Sequence, residues 1–228
     1  MKLADYTTVR LGGPARAFVH AETEHEIIAA VRAADAAGEP LLILGGGSNL
    51  IVSDEGFDGT VVQVATRGVS RDGGPGVLTV AAGEDWDAVV ARSVAEGLAG
   101  LECLSGIPGL TGATPIQNVG AYGQEVAETI TAVRVYDRVT GDVHQIPNER
   151  CDFGYRTSRF RGAGRFVVLS VTFRLAVLTT AIRQSGYPSR PGSDTYSFAP
   201  FGVSASLFGQ LRKGCLTNGQ CALPLSTC

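Results

Sequence analysis

Two rhythms of apolar and polar positions run through most of the chain. After Glu22-Thr23-Glu24-His25-Glu26, the residues Ile27, Ile28, Val31 and Ala34 recur at helical spacing, and Gly38 ends the run. Thr23 and Glu26 stand three apart, as a reciprocal capping box requires. A second helical run extends from about Asp85 to Glu96, with Trp86, Val89, Val90 and Val94 on one face and Gly97 as its stop. Around these helices lie short strand-like stretches: the fully apolar Leu41–Leu44, then Thr60–Val64, Val77–Ala82, Ala132–Tyr136, Val143–Ile146 and Phe166–Phe173. Leu50–Ser53 reads as loop, short strand or turn, and Asp137–Asp142 as the turn of a hairpin. Helices and strands are mixed without strict alternation. The expected class is α+β, with two small lobes at about residues 1–66 and 67–174 of one domain, 1–174.

Composition narrows this picture. With 228 residues, 44% of them hydrophobic, the chain is long enough to bury a sizeable core. Its 30 glycines point to tight backbone turns rather than a helical bundle. Nineteen basic residues face 22 acidic ones, and that balance disfavours a nucleic-acid partner. No apolar run approaches the ~20 residues of a membrane span, and the start Met1–Tyr6 is too polar for a secretion signal. No membrane association is expected, and the chain reads as soluble and cytoplasmic. No obligate protein partner is evident. An odd count of five cysteines makes no disulfide framework, and the scattered His20, His25 and His144 suggest no metal site.

The charge pattern breaks at Arg174. Residues 1–174 carry 15 basic and 21 acidic residues, whereas 175–228 carry four basic residues and the single acid Asp194. Three cysteines, Cys215, Cys221 and Cys228, fall in that tail, and Pro188, Pro191 and Pro200 interrupt its weak periodicity. It reads either as a flexible extension or, by preference, as a stretch out of its natural reading frame. Either way it lacks the apolar pattern that would offset the entropy of ordering.

Two glycine-rich loops carry candidate chemistry. Gly45-Gly46-Gly47-Ser48-Asn49 follows the apolar run 41–44. Glycines let backbone amides approach an anion closely, and successive amides form a positive concavity. The loop is followed by more strand-like sequence, and neither G-x-G-x-x-G nor a Gly-Lys-Ser/Thr ending stands there. Phosphate binding from an inter-strand loop and a plain tight turn are both open on this pentapeptide. The second loop, Gly106–Gly123, is long for a connector and holds five glycines, its first and last residues included, together with Thr114, Pro115, Gln117 and Asn118. Neutral donors and acceptors between apolar positions suit a flat heteroaromatic ring with polar edges.

These stretches resemble a known family. Thr7–Ala15, Gly45–Asn49, Ile107–Gly123 and Phe153–Phe160, in this order, are similar to the UDP-N-acetylenolpyruvoylglucosamine reductases, also called UDP-N-acetylmuramate dehydrogenases. The resemblance implies a two-lobed FAD-binding fold of the vanillyl-alcohol-oxidase (PCMH) type. It implies that Gly45, Gly46, Gly47, Ser48 and Asn49 hold the cofactor's pyrophosphate. Thr114, Pro115, Gln117, Asn118, Gly120, Ala121 and Gly123 would lie along its ring system. NADPH would reduce FAD, and hydride would pass from the flavin to UDP-N-acetylglucosamine enolpyruvate, giving UDP-N-acetylmuramate for peptidoglycan. The Gly-Tyr-Arg-x-Ser match places the arginine that grips the substrate carboxylate at Arg156, with Tyr155 beside it; Tyr122 reads either as a substrate contact or as an exposed loop aromatic. An Arg fork remains protonated and holds a carboxylate bidentately while charge develops. A solvated basic loop is the plainer reading, since Arg159, Arg161 and Arg165 follow. The family's proton-donating serine, in a Gly-Ser-Phe-Phe-like motif, and its late glutamate have no match after Arg174. A catalytically inactive FAD-binding module is therefore the alternative. The two glycine loops are expected to converge on one dinucleotide.

Overall fold

The computed structural model describes residues 1–162 and 164–178. The strands form two main sheets. The first joins β1 (Ala15–Ala21), β2 (Leu41–Leu44) and β3 (Phe57–Val64) in the order β1-β3-β2, all parallel. The crossover from β1 to β2 is α1 (Glu24–Ala36), whose capping box forms as the sequence requires: Glu26 N donates to the Thr23 hydroxyl, and Thr23 N to the Glu26 carboxylate. Strand β1 has no clear signal in the sequence, because its outward positions Arg16 and His20 break the apolar run. Leu50–Ser53 forms no strand.

The second sheet is antiparallel and comprises β4 (Val69–Ser70), β5 (Val77–Ala81), β9 (Ile130–Asp137), β10 (Asp142–Pro147) and β11 (Phe166–Arg174). Their order across the sheet is β10-β9-β11-β5-β4. Central β11 is buried on both faces, as its near-continuous apolar sequence demands. The intervening segment carries α2 (Trp86–Ala95), β6 (Leu98–Ala99), and the tight hairpin of β7 (Gly120–Ala121) and β8 (Gln124–Glu125). Asp85 caps α2 by accepting from Ala88 N at 2.9 Å. Fully buried Trp86 donates its indole N–H to Leu104 O and packs against Phe173. The chain stays in the domain for a few residues past Arg174: Leu175 is buried, and β12 (Ala176–Val177) pairs with β6. The reading of 179–228 lies outside the described residues.

One hydrophobic core spans both sheets, joining Ile27, Val31 and Val62 of the first half to Val80, Val133 and Leu169 of the second. The polar face of α1 reinforces this contact. Glu24 pairs with Arg134 at 3.2 Å, Asp35 pairs with Arg138, and Arg32 donates to the Tyr136 hydroxyl and to Gly141 O. Each pair is half-exposed and worth at most about 1 kcal/mol. Their placement along one helix fixes how it lies on β9.

At the end of β9, buried Asp137 receives a two-point grip from Arg165 and the amide of Val139. The Arg165 hydrogen bonds hold its carboxyl down at about 2, against desolvation. A carboxyl held low contributes stability that is complete above its ordinary value near 3.8 and is lost as pH falls through about 2. Asp137→Asn is therefore expected to lower the urea midpoint at neutral pH and to flatten its decline between pH 4 and 2, measured by fluorescence-detected denaturation across that range.

Candidate functional site

The first glycine loop leaves β2 at its C-terminal end and turns at Gly47, where φ is +64° and a Cβ would lie 1.9 Å from Tyr6 O. Only glycine fits there. Thr8 N donates to Gly47 O, tying the loop to the N-terminal segment. None of the backbone N–H groups of Gly46, Gly47, Ser48 and Asn49 donates to another backbone group among the described residues. Four consecutive free amides around a turn form an anion-binding concavity.

The second loop is pinned from α2. Asp87 accepts from Ser105 Oγ and Gly106 N, Trp86 N donates to Gly109 O, and Gly112 N donates to Ala82 O. These bonds bring it against the first loop. The Ser48 hydroxyl donates to Pro108 O at 3.3 Å, and a Cβ on Gly46 would meet Gly109 Cα at 3.2 Å. The two loops touch backbone to backbone.

Beneath the junction lies an apolar slot of about 170 Å³, walled by Ile43 and Val64 of the first sheet, Val167 and Val168 of the second, and Gly112 and Ile116 of the second loop. Beside it opens a polar groove of about 410 Å³ lined by Asp5, Tyr6, Thr7, Thr8, Arg10 and Gln63. Gly45 borders both. Arg10, at φ +56°, is the cation of this groove, and its place there was not legible from the residue pattern. An apolar slot for a ring, joined to a groove with free amides and a guanidinium for phosphates, fits a dinucleotide such as FAD.

The residues singled out in sequence fall into distinct places. Gly45, Gly46, Gly47 and Asn49 shape the first cradle, whereas the Ser48 hydroxyl is spent on the second loop. Thr114 and Asn118 are buried and turned inward. The Thr114 hydroxyl donates to Thr111 O. The Asn118 amide donates to the Glu125 carboxylate and to Gly154 O and accepts from Ala127 N, which holds Asn118 at φ +43°. Pro115 is buried, and Gln117 is half-buried beside it. Gly120 and Ala121 form β7, and Tyr122 (φ +53°) with Gly123 (φ +80°) makes the tight turn into β8.

Tyr155 and Arg156 occupy the tip of a turn closed by reciprocal bonds between Gly154 and Thr157. Arg156 has φ +52°, and its guanidinium lies 5.9 Å from the centroid of the exposed Tyr155 ring. Two side chains fasten this turn to the second loop: Asn118 to Gly154 O, and Ser158 Oγ to Ile116 O at 2.9 Å. The role of these anchors was not visible in sequence, since Asn and Ser in loops carry no address for their partners.

Residues 15–146 match the FAD binding domain family. A UDP-N-acetylenolpyruvoylglucosamine reductase of Saccharopolyspora erythraea is 60% identical over 176 residues, covering 76% of this chain and 48% of that protein. The crystal structure of UDP-N-acetylenolpyruvylglucosamine reductase from Thermus caldophilus aligns with a TM-score of 0.64 and 30% identity, covering 93% of this chain and 79% of that one. The chain belongs to the UDP-N-acetylenolpyruvoylglucosamine reductase family. Its fold is the two-lobed FAD-binding type, shared at 20% identity and a TM-score of 0.53 with 6-hydroxy-D-nicotine oxidase of Arthrobacter nicotinovorans, over 70% of this chain and 36% of the oxidase. The chain spans about half the length of the curated relatives it matches. Among the described residues, no helix is long and apolar enough to cross a membrane.

Gly47→Ala is expected to abolish flavin retention and to lower stability, because the new methyl would overlap Tyr6 O in a disfavoured conformation. Gly45→Ala, whose Cβ would meet only Leu110 Cδ1 at 3.8 Å, should keep the fold. Circular dichroism and the 450 nm absorbance of purified protein, read together, check both.

Proposed function

We propose that this chain carries out the FAD-dependent reduction of UDP-N-acetylglucosamine enolpyruvate to UDP-N-acetylmuramate, with NADPH as reductant. The observation that supports it is the fastening of the Tyr155-Arg156 turn to the loop that walls the apolar slot, through Asn118 and Ser158. Bound FAD would supply hydride transfer between the reductant and the enolpyruvyl group. Gly46, Gly47, Ser48 and Asn49 would offer their backbone N–H groups to the diphosphate, with Arg10 alongside. Ile43, Val64, Ile116 and Val168 would exclude water from one face of the ring and set its plane.

Arg156 is the residue for the substrate carboxylate. Among the described residues its guanidinium has no carboxylate partner, so its fork is available, while its backbone oxygen is held by Arg161 at 2.9 Å. A fixed fork that binds the carboxylate more tightly as charge develops lowers the barrier without a change in its own protonation. Tyr155 and Tyr122, both exposed on neighbouring turns, would flank the substrate.

A second reading, a module that binds FAD without turnover, is favoured by the lack of a Gly-Ser-Phe-Phe-like motif or any glutamate after Arg174. Absence of a general acid costs about 10²–10⁴ in rate. Spectrophotometry of the FAD-loaded chain separates the two: NADPH oxidation that depends on the enolpyruvyl sugar nucleotide is expected, and its absence with flavin still bound supports the module. Given turnover, Arg156→Ala should lower kcat about 10²–10³-fold with flavin retained. An unchanged kcat removes Arg156 from the reaction.

A further inference from the structure

The basic run after Arg156 is only partly used by the site above. At the far end of the second sheet, Arg150, Arg159 and Arg165 border a cavity of about 210 Å³. Phe166 supplies its aromatic wall: the Arg159 guanidinium lies 5.3 Å from the ring centroid, the Arg165 guanidinium lies at 4.9 Å, and His144 meets the ring edge-on at 6.4 Å. Asp137 is the one carboxylate among the lining residues, and Arg165 already engages both of its oxygens.

The cavity therefore keeps an uncompensated positive surplus. The exposed Arg150 guanidinium has no ion-pair partner among the described residues, and Arg159 donates to Arg150 O at 2.6 Å. The Arg159 Nε–H is buried and donates to no acceptor. Buried donors are rarely left unpaired, and each one needs a reason. Phe166 lies within cation–π distance of both guanidinium groups and so restrains them. Planar forks that are held in place match the oxygens of a phosphoryl group, which can accept from several N–H groups at once. A cavity bordered by three guanidinium groups, of which only Arg165 has an ion-pair partner among the described residues, suits an anion better than a neutral or cationic ligand.

We propose that this cavity is a binding site for a phosphate-class oxyanion, distinct from the flavin cleft, with Arg150 and Arg159 as its principal donors. Phe166 also borders the apolar slot, so one side chain walls both sites. The site depends on none of the catalytic assignments made for Arg156.

Isothermal titration of the full chain, saturated with FAD so that the flavin cleft is filled, tests this. Inorganic phosphate and adenosine monophosphate are titrated separately at ionic strength held constant with chloride. Saturable one-to-one binding of phosphate is expected. Arg150→Gln should weaken it about tenfold or more, since a charge-assisted bond is lost from a side chain that makes no other hydrogen bond or ion pair among the described residues. Arg159→Lys keeps the charge but loses the planar fork, and should weaken binding likewise. Binding of the nucleotide as tight as that of phosphate would mark a nucleotide phosphate as the ligand source, and binding of phosphate alone would mark the free ion. The proposal is overturned if phosphate gives no saturable heat at millimolar concentration, or if Arg150→Gln, with an unchanged circular dichroism spectrum, binds as the parent does.

Discussion

The structure turns on a contact between two stretches of backbone some sixty residues apart. The Gly45–Asn49 loop and the Gly106–Gly123 loop meet through the Ser48 hydroxyl on Pro108 O and the near approach of Gly46 to Gly109. Side chains at these points would hold the loops apart, and the space under them would open to solvent. With glycines there, the free amides of the first loop and the apolar wall of the second share one boundary. Amides that can serve a diphosphate and a dry slot for a ring become parts of a single site only because of this contact.

Rigid supports on either side keep that boundary in place. From below, the N-terminal end of α2 holds the second loop by Asp87, Trp86 N and the neighbouring Ala82 carbonyl. From the side, α1 is fastened to β9 by Glu24, Arg32 and Asp35, so the two sheets keep one relative orientation. The family match over residues 15–146 covers both supports and both loops.

Much of the fold was legible because local rules and burial agreed. The capping box at Thr23 and Glu26, the apolar face of α2 and the doubly buried β11 each announce themselves by spacing alone. Strand β1 did not, since its alternating polar positions and flanking glycines mimic a loop until β3 is known to lie beside it. The glycine loops stood out by composition, yet the partners of their polar side chains did not. Asn118 and Thr114 looked like donors for a ligand, but Thr114 closes the loop upon itself and Asn118 ties it to the turn at Gly154. Spacing reports which backbone must be free, and it does not report where a short polar side chain will find its nearest acceptor.

The strand order β1-β3-β2 has a consequence for how the molecule is assembled. The strand that follows the Gly45–Asn49 loop is the middle one, so it must insert between two that precede it in the chain. Until Phe57–Val64 is in position, β1 and β2 have no shared neighbour, and the loop leads from a lone strand into unstructured chain. The turn of the Gly45–Asn49 loop is therefore coupled to a non-local pairing, whose loop-closure entropy the contacts of β3 must offset.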